Sequence, residues 1–190
     1  MPEERRPMPD PLRLKDRLDR PISLVGMMGS GKSLVGRRLA RLLDLPFVDS
    51  DSRIEDTAGI SVAEIFEIGG EAKFREMEQT AIRAALTAGP MVLSTGGGAI
   101  CAEATAQLLH DHSIIVWLHA EPETLISRIG SVGSRPLLHG DDPLETLRTL
   151  ANSRAGDYGR AHITVKTDDL SAHAATSAVL RALDRHLAVT

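Results

Sequence analysis

The chain is short of several things at once. It has a single cysteine, Cys101, so it can form no disulfide within itself, and a reducing, cytoplasmic compartment is expected. Nothing near Cys101 in the sequence would activate the thiol, which reads as a small packing residue and not as a nucleophile. Aromatic residues make up 3% of the chain, too few to lay out stacking platforms for a nucleic acid. No apolar run approaches the ~20 residues of a membrane span. Residues 1–21 are charged and proline-bearing where a secretory leader would be apolar. The net charge is −4, so no basic field draws nucleic acid or an anionic membrane, and neither is expected as a partner. Lysine is scarce as well: Lys15, Lys32, Lys73 and Lys166 are the four among 22 basic residues. Arginine is therefore the expected tool for phosphate and carboxylate contacts, and a lysine in a special setting stands out.

One of the four has such a setting. Gly26-Met27-Met28-Gly29-Ser30-Gly31-Lys32-Ser33 is Gly, four residues, then Gly-Lys-Ser, the pattern of a phosphate-binding loop. Residues 22–25 before it form an apolar run of strand type. Leu34, Val35, Leu39, Leu42 and Leu43 after it recur at helical spacing. Strand, glycine loop and helix are the context that the motif needs. The glycines let successive backbone N–H groups face a phosphate, and the helix adds the positive end of its dipole. Lys32 supplies a point charge, and the Ser33 hydroxyl suits Mg²⁺.

The 190 residues, 42% of them hydrophobic, suit one domain. Residues 1–20 read as a charged tail, in which Leu12, Leu14 and Leu18 allow a short helix with little packing. Residues 21–190 read as the folded domain. Strands are expected at 22–25, 45–48, 91–94, 113–118 and 162–165. Helices are expected at 32–43, 52–57, 61–68, 71–88, 103–109, 122–129, 143–155 and 171–187. Strands that alternate with helices and are nearly all apolar predict an α/β, three-layer fold with a five-stranded parallel sheet. In such a sheet, ligands bind beyond the carboxyl ends of the strands.

Those ends carry chemistry. The second strand ends in Asp49-Ser50-Asp51, two acids that can reach one side, suited to a metal and to a hydroxyl. The third ends in Thr95-Gly96-Gly97-Gly98, where the lack of side chains lets backbone touch a ligand. Spacing alone pairs Arg75 with Glu71 or Glu78 on a helix face and leaves Arg154 as a cation near a helix end. Residues 130–142, rich in Gly, Ser and His, form a candidate lid with Arg135, and Arg128 lies just before it. His110, His112, His119 and His139 show no metal-ligand spacing. Asp56-Thr57-Ala58-Gly59 and Lys166-Thr167-Asp168 resemble fragments of a guanine-nucleotide switch. Val165 stands where that motif needs Asn or Thr, and Asp56 follows a polar helical stretch.

From residue 22 onward the chain resembles the shikimate kinases. The resemblance rests on the glycine loop, Asp49-Ser50-Asp51, Phe74-Arg75 with Glu78, Thr95 to Gly98, Arg135-Pro136-Leu137-Leu138, and Arg154 with Tyr158. It implies a P-loop kinase of the nucleoside monophosphate kinase type, with a substrate-binding segment at about 49–78 and a mobile lid at about 128–142. It implies ATP-dependent phosphorylation of the 3-hydroxyl of shikimate in aromatic amino-acid biosynthesis, with Mg²⁺, by a monomer. By resemblance, Gly29, Ser30, Gly31, Lys32, Ser33 and Leu34 hold the phosphates, and Ser33 and Asp49 serve Mg²⁺. Arg128 lies against adenine, and Arg135 comes near the transferred phosphate. Asp51, Arg75, Gly96, Gly97, Gly98 and Arg154 meet shikimate. Lys32, Asp51 and Arg135 carry catalysis. The alternative is another small-molecule kinase of gluconate or nucleotide type. One departure is local: the family often shows Pro-Leu before the tyrosine, where this chain has Gly156-Asp157, which is expected to loosen the backbone beyond Arg154.

Overall fold

The computed structural model describes residues 8–129 and 142–189. Five strands lie in one parallel sheet: β1 (Ile22–Val25), β2 (Phe47–Asp49), β3 (Val92–Ser94), β4 (Ile114–His119) and β5 (Ile163–Lys166). Their order is β2-β3-β1-β4-β5, which puts β1 at the centre, with Ile22 opposite Val92 on one side and Ile114 on the other. Among the described residues the α-helices are α1 (Pro11–Lys15), α2 (Lys32–Leu43), α3 (Ser50–Ala58), α4 (Val62–Leu86), α5 (Glu103–His112), α6 (Pro122–Arg128), α7 (Pro143–Tyr158) and α8 (Ala172–Val189).

Both faces of the sheet are covered, so the apolar strands alternate between two cores. Ile22, Leu24, Val92, Ile114, Val116 and Leu118 point toward α2 and α8. Val25, Leu93, Ile115 and Trp117 point toward α4, α5 and α7. Leu45 and Pro46 lie before β2, which starts two residues later than the sequence pattern predicts and runs into Asp49. Asp49 then caps α3, its side chain accepting from the backbone N–H of Asp51 and Ser52.

The segment after β2 has its own small core of Ile54, Ile65 and Phe74. Ser61 and Glu64 form a capping box at the start of α4. The break expected at Gly69-Gly70 is a kink inside α4, where Gly70 takes φ 70° and ψ −179°. Asp56 sits inside helix α3, which is not the loop setting of a nucleotide switch.

Residues 8–20 differ from the loosely packed tail that the sequence pattern predicts. Asp10 caps α1, and Leu14 (1% exposed) and Leu18 (7% exposed) join the core between α2 and α8. Lys15 pairs with Asp44 at 2.9 Å and Arg17 with Asp184 at 2.6 Å. Five helical residues are too few to show a periodicity, and the apolar gap they fill exists only once α2 and α8 have packed. The backbone beyond Arg154 also differs from expectation: α7 stays helical through Gly156 to Tyr158.

Candidate active site

The glycine loop joins β1, at the centre of the sheet, to α2. Gly29 and Gly31 take φ of 81° and 90°, values a side chain would strain, and this curls the loop over the helix end. The first turn of α2 has no side-chain cap, so its backbone N–H groups are left for an anion. Lys32 donates to the carbonyls of Gly26 at 2.8 Å and Met27 at 3.0 Å, which holds its ammonium under the loop. Ser30 is buried beneath the turn, and Leu34 points outward at 56% exposed.

A cleft of about 450 Å³ opens in front of this loop. Gly29, Gly31, Lys32 and Ser33 line it from one side, Asp49 and Asp51 from β2 and α3, and Gly96 and Gly97 from the turn after β3. Arg128 closes it from the end of α6. The Ser33 hydroxyl donates to Asp49 Oδ2 at 2.7 Å, while Asp49 Oδ1 stays on the N-terminus of α3. Two hard oxygen donors thus meet at the foot of α2, a donor pair that fits Mg²⁺ completed by phosphate and water. The described residues hold no group of three or more His, Cys, Asp or Glu able to bind a metal.

Asp51 lies deeper. Burial, with the nearby Asp49 charge, pushes its pKa above the ordinary carboxylate value. Ser50 joins it to the glycine triplet: its hydroxyl accepts from the Gly96 N–H at 3.1 Å and donates to Asp51 Oδ1 at 3.4 Å.

The triplet is glycine for steric reasons that differ along it. A Cβ on Gly96 would lie 2.6 Å from Glu78 Oε1 and 3.0 Å from Asp51 Oδ1. One on Gly98 would lie 2.4 Å from Arg75 Nη2. At Gly97 the nearest atoms would be 3.6 Å away, with Arg154 Nη1 at 4.0 Å. Gly96 and Gly98 are thus occupied by neighbouring side chains, and Gly97 has the space a ligand could use.

Arg75 satisfies the pairing its spacing predicts and also reaches the triplet. It donates to Glu78 at 2.6 Å and to Glu71 at 3.2 and 3.3 Å. Burial works against its charge, but Glu78 and Glu71 outweigh this and hold its pKa above the ordinary arginine value. Glu78 is 0% exposed, and its Oε1 has no hydrogen-bond partner among the described residues. Burial pushes the Glu78 pKa up, with Arg75 opposing. Arg154, on α7, stands at the other side of the triplet, next to Tyr158. The Tyr158 hydroxyl donates to the Gly97 carbonyl, and its ring stacks on Trp117 at 5.5 Å. Both guanidinium charges bear on Cys101, just past the triplet. Cys101 is exposed as a residue and not the packed one that the sequence suggests, yet partial desolvation of its thiol pushes the pKa up to about 11, so it stays protonated at neutral pH.

Arg128 donates to the carbonyls of Thr167 and Asp168 and to the Thr167 hydroxyl, all in the loop that links β5 to α8. Arg135 and nearly all of the lid lie outside the described residues. Glu78, Ser50 and Tyr158 stand within the sequence motifs but are given no site role by them, and the structure makes all three structural members of the site. Glu78 carries a signal, its place three residues after Arg75, whereas Ser50 and Tyr158 act through contacts 46 and 61 residues away in sequence.

The family model described as "Shikimate kinase" matches residues 28–184. Shikimate kinase of Mesorhizobium japonicum is 42% identical over 170 residues, covering 90% of this chain and 84% of that protein. Among solved structures, shikimate kinase from Acinetobacter baumannii in complex with shikimate superposes with a TM-score of 0.83 at 36% identity, covering 87% of this chain and 93% of that one. A gluconokinase from Sinorhizobium meliloti superposes with a TM-score of 0.55 at 20% identity over 86% of this chain and 91% of that one, a likeness of fold alone.

Proposed function

The chain belongs to the shikimate kinase family, and we propose from that premise how its residues divide the work. The reaction is the phosphorylation of shikimate by ATP, at the 3-hydroxyl, giving shikimate 3-phosphate and ADP. The observation that carries this reading is convergence: the phosphate loop, Asp51 and the triplet flanked by Arg75 and Arg154 meet at one end of one sheet.

The triphosphate lies on the backbone N–H groups of residues 29–34, and Lys32 exchanges its loop carbonyls for phosphate oxygens. Arg128 lies against adenine, and Arg135 reaches the transferred phosphoryl from the lid. Ser33 and Asp49 hold Mg²⁺, which supplies charge neutralisation at the phosphates. The shikimate carboxylate lies between Arg75 and Arg154, whose planar forks suit it. Gly97 gives the ring room to approach the backbone.

Asp51 accepts a hydrogen bond from the attacking hydroxyl. As that oxygen bonds to the γ-phosphorus and the bond to the ADP oxygen breaks, Asp51 takes the hydroxyl proton. Its raised pKa favours that transfer. The rest of the catalysis is positioning and charge neutralisation. The protein is read as a cytoplasmic monomer, and no helix among the described residues is long and apolar enough to cross a membrane.

The test is ADP release in a coupled assay with shikimate, gluconate and nucleoside monophosphates side by side. Turnover with shikimate alone is expected, and turnover only with gluconate or a nucleotide would overturn the reading. Asp51→Asn keeps the fold and lowers kcat by about 10²-fold or more. Near-normal turnover in that variant would remove Asp51 from the proposed role.

A further inference from the structure

The cleft has a cation that no sequence motif marks. Arg37 lies four residues after Ser33 on α2, so both stand on one side of the helix a little over one turn apart. It lines the same cleft as Ser33 and Asp49. Its guanidinium carbon stands 4.7 Å from the centroid of the Phe47 ring at the start of β2. That ring can lie so close to α2 because the residue before Arg37 is Gly36, whose Cβ would fall 2.6 Å from Phe47 Cε2. Gly36, Phe47 and Arg37 thus form a built perch, with the guanidinium set over the ring of an otherwise exposed arginine and its donors, among the described residues, directed to no partner.

The charge is available. Among the described residues Arg37 makes no ion pair and no hydrogen bond, whereas the other cations of the cleft, Lys32 and Arg128, donate to backbone carbonyls. The setting needs it, since the chain carries a net charge of −4 and the cleft itself holds the carboxylates of Asp49 and Asp51. A polyanion approaching this mouth meets a repelling background unless a cation at the rim offsets it.

We propose that Arg37 is a capture residue for the nucleotide polyphosphate, which it draws into the cleft and holds by charge without joining the transfer step. This deepens the kinase reading and rests on it. A helix rise of about 6 Å from Ser33 keeps the charge within the ~8 Å Debye length at physiological salt, so its pull on the phosphates is felt there and fades at high salt.

Calorimetric titration with MgADP tests this in the whole protein at 20 mM and at 500 mM NaCl. Arg37→Gln keeps a stem over Phe47 and loses the charge. Its Kd is expected to rise by about 3–10-fold at low salt and to come within twofold of wild type at high salt. Arg37→Lys, which keeps the charge, stays within twofold at both salts. In turnover, the KM for MgATP of Arg37→Gln rises by the same factor, and kcat at saturation moves less than twofold. A loss that persists undiminished at high salt, or that Arg37→Lys shares, would overturn the proposal, because it marks lost packing on Phe47 and not lost charge. Equal affinity of wild type and Arg37→Gln would overturn it while leaving the kinase reading intact. Failure of the wild-type protein to bind MgADP would overturn both.

Discussion

Gly98→Ala adds one methyl group where the structure has no room. The new Cβ would sit 2.4 Å from Arg75 Nη2 and 3.1 Å from Cζ and Nη1. Non-bonded heavy atoms rest at about 3.5 Å, so the guanidinium must retreat by roughly 1 Å. It cannot do so freely, because Nη1 is held 2.6 Å from Glu78, a carboxylate with no exposed surface. Breaking a buried pair outright costs about 3–5 kcal/mol. Arg75 keeps 26% of its side chain exposed and retains Glu71, so a partial shift is expected to cost about 1–3 kcal/mol, read as a Tm lower by about 3–10 °C. The kinetic effect is larger, since an error of about 1 Å in a positioning group can cost about 10²-fold. The coupled ADP assay, with each substrate varied in turn, is expected to show a shikimate KM at least tenfold higher. The KM for MgATP should change less than twofold, because the phosphate loop and Lys32 lie on the other side of the cleft. A folded Gly98→Ala enzyme with wild-type shikimate KM would refute the claim that Arg75 is placed against the triplet to meet substrate.

Three further perturbations separate packing, backbone and charge. Gly156→Ala, on α7 two residues after Arg154, adds a Cβ with nothing within 4 Å in a helical stretch, and should raise stability by about 0.5–1 kcal/mol in denaturant titration with KM values unchanged. Leu14→Ala empties a site that is 1% exposed and should destabilise by about 2–5 kcal/mol in denaturant titration, whereas residues 8–20 acting as a loose tail would give almost none. His162 accepts the Ile115 N–H on Nδ1 at 3.0 Å, with the His110 and His186 rings 5.0 and 5.8 Å away. Burial first, then His110, His186 and Arg20, lowers its pKa below the ordinary 6.5. Its stabilising contribution is therefore present above that value and lost as pH falls. His162→Asn keeps an acceptor and cannot charge, so the fall in unfolding free energy between pH 7 and 5 should be shallower than in wild type. Parallel slopes in the two proteins would count against this.

Much of the site is legible because it is local. Residues 26–33 declare themselves through spacing, and the strand before them and helix after them follow from apolar periodicity within a dozen residues. The Asp49–Asp51 pair is visible for the same reason, since a strand that ends in acids carries its position with it. Arg75 shows the limit: its i±3 and i±4 partners are as the spacing predicts, and that spacing alone marks it as an ordinary surface arginine. Apart from the family resemblance, what makes it a candidate for substrate is Gly98, 23 residues on, which reaches it only once α4 packs against the turn after β3.

By itself, the sequence determined the alternation of strands and helices, the phosphate loop and the chemical character of each strand end, because these depend on neighbours a few residues apart. Tertiary packing alone decided that Leu14 and Leu18 close a core, that Gly96 and Gly98 are filled by Glu78 and Arg75 while Gly97 stays open, and that Arg37 stands on Phe47 at the cleft mouth. Each of these is a contact between segments whose separation in sequence carries no periodic signal. Their partners are chosen by which surfaces the closed sheet brings within van der Waals reach.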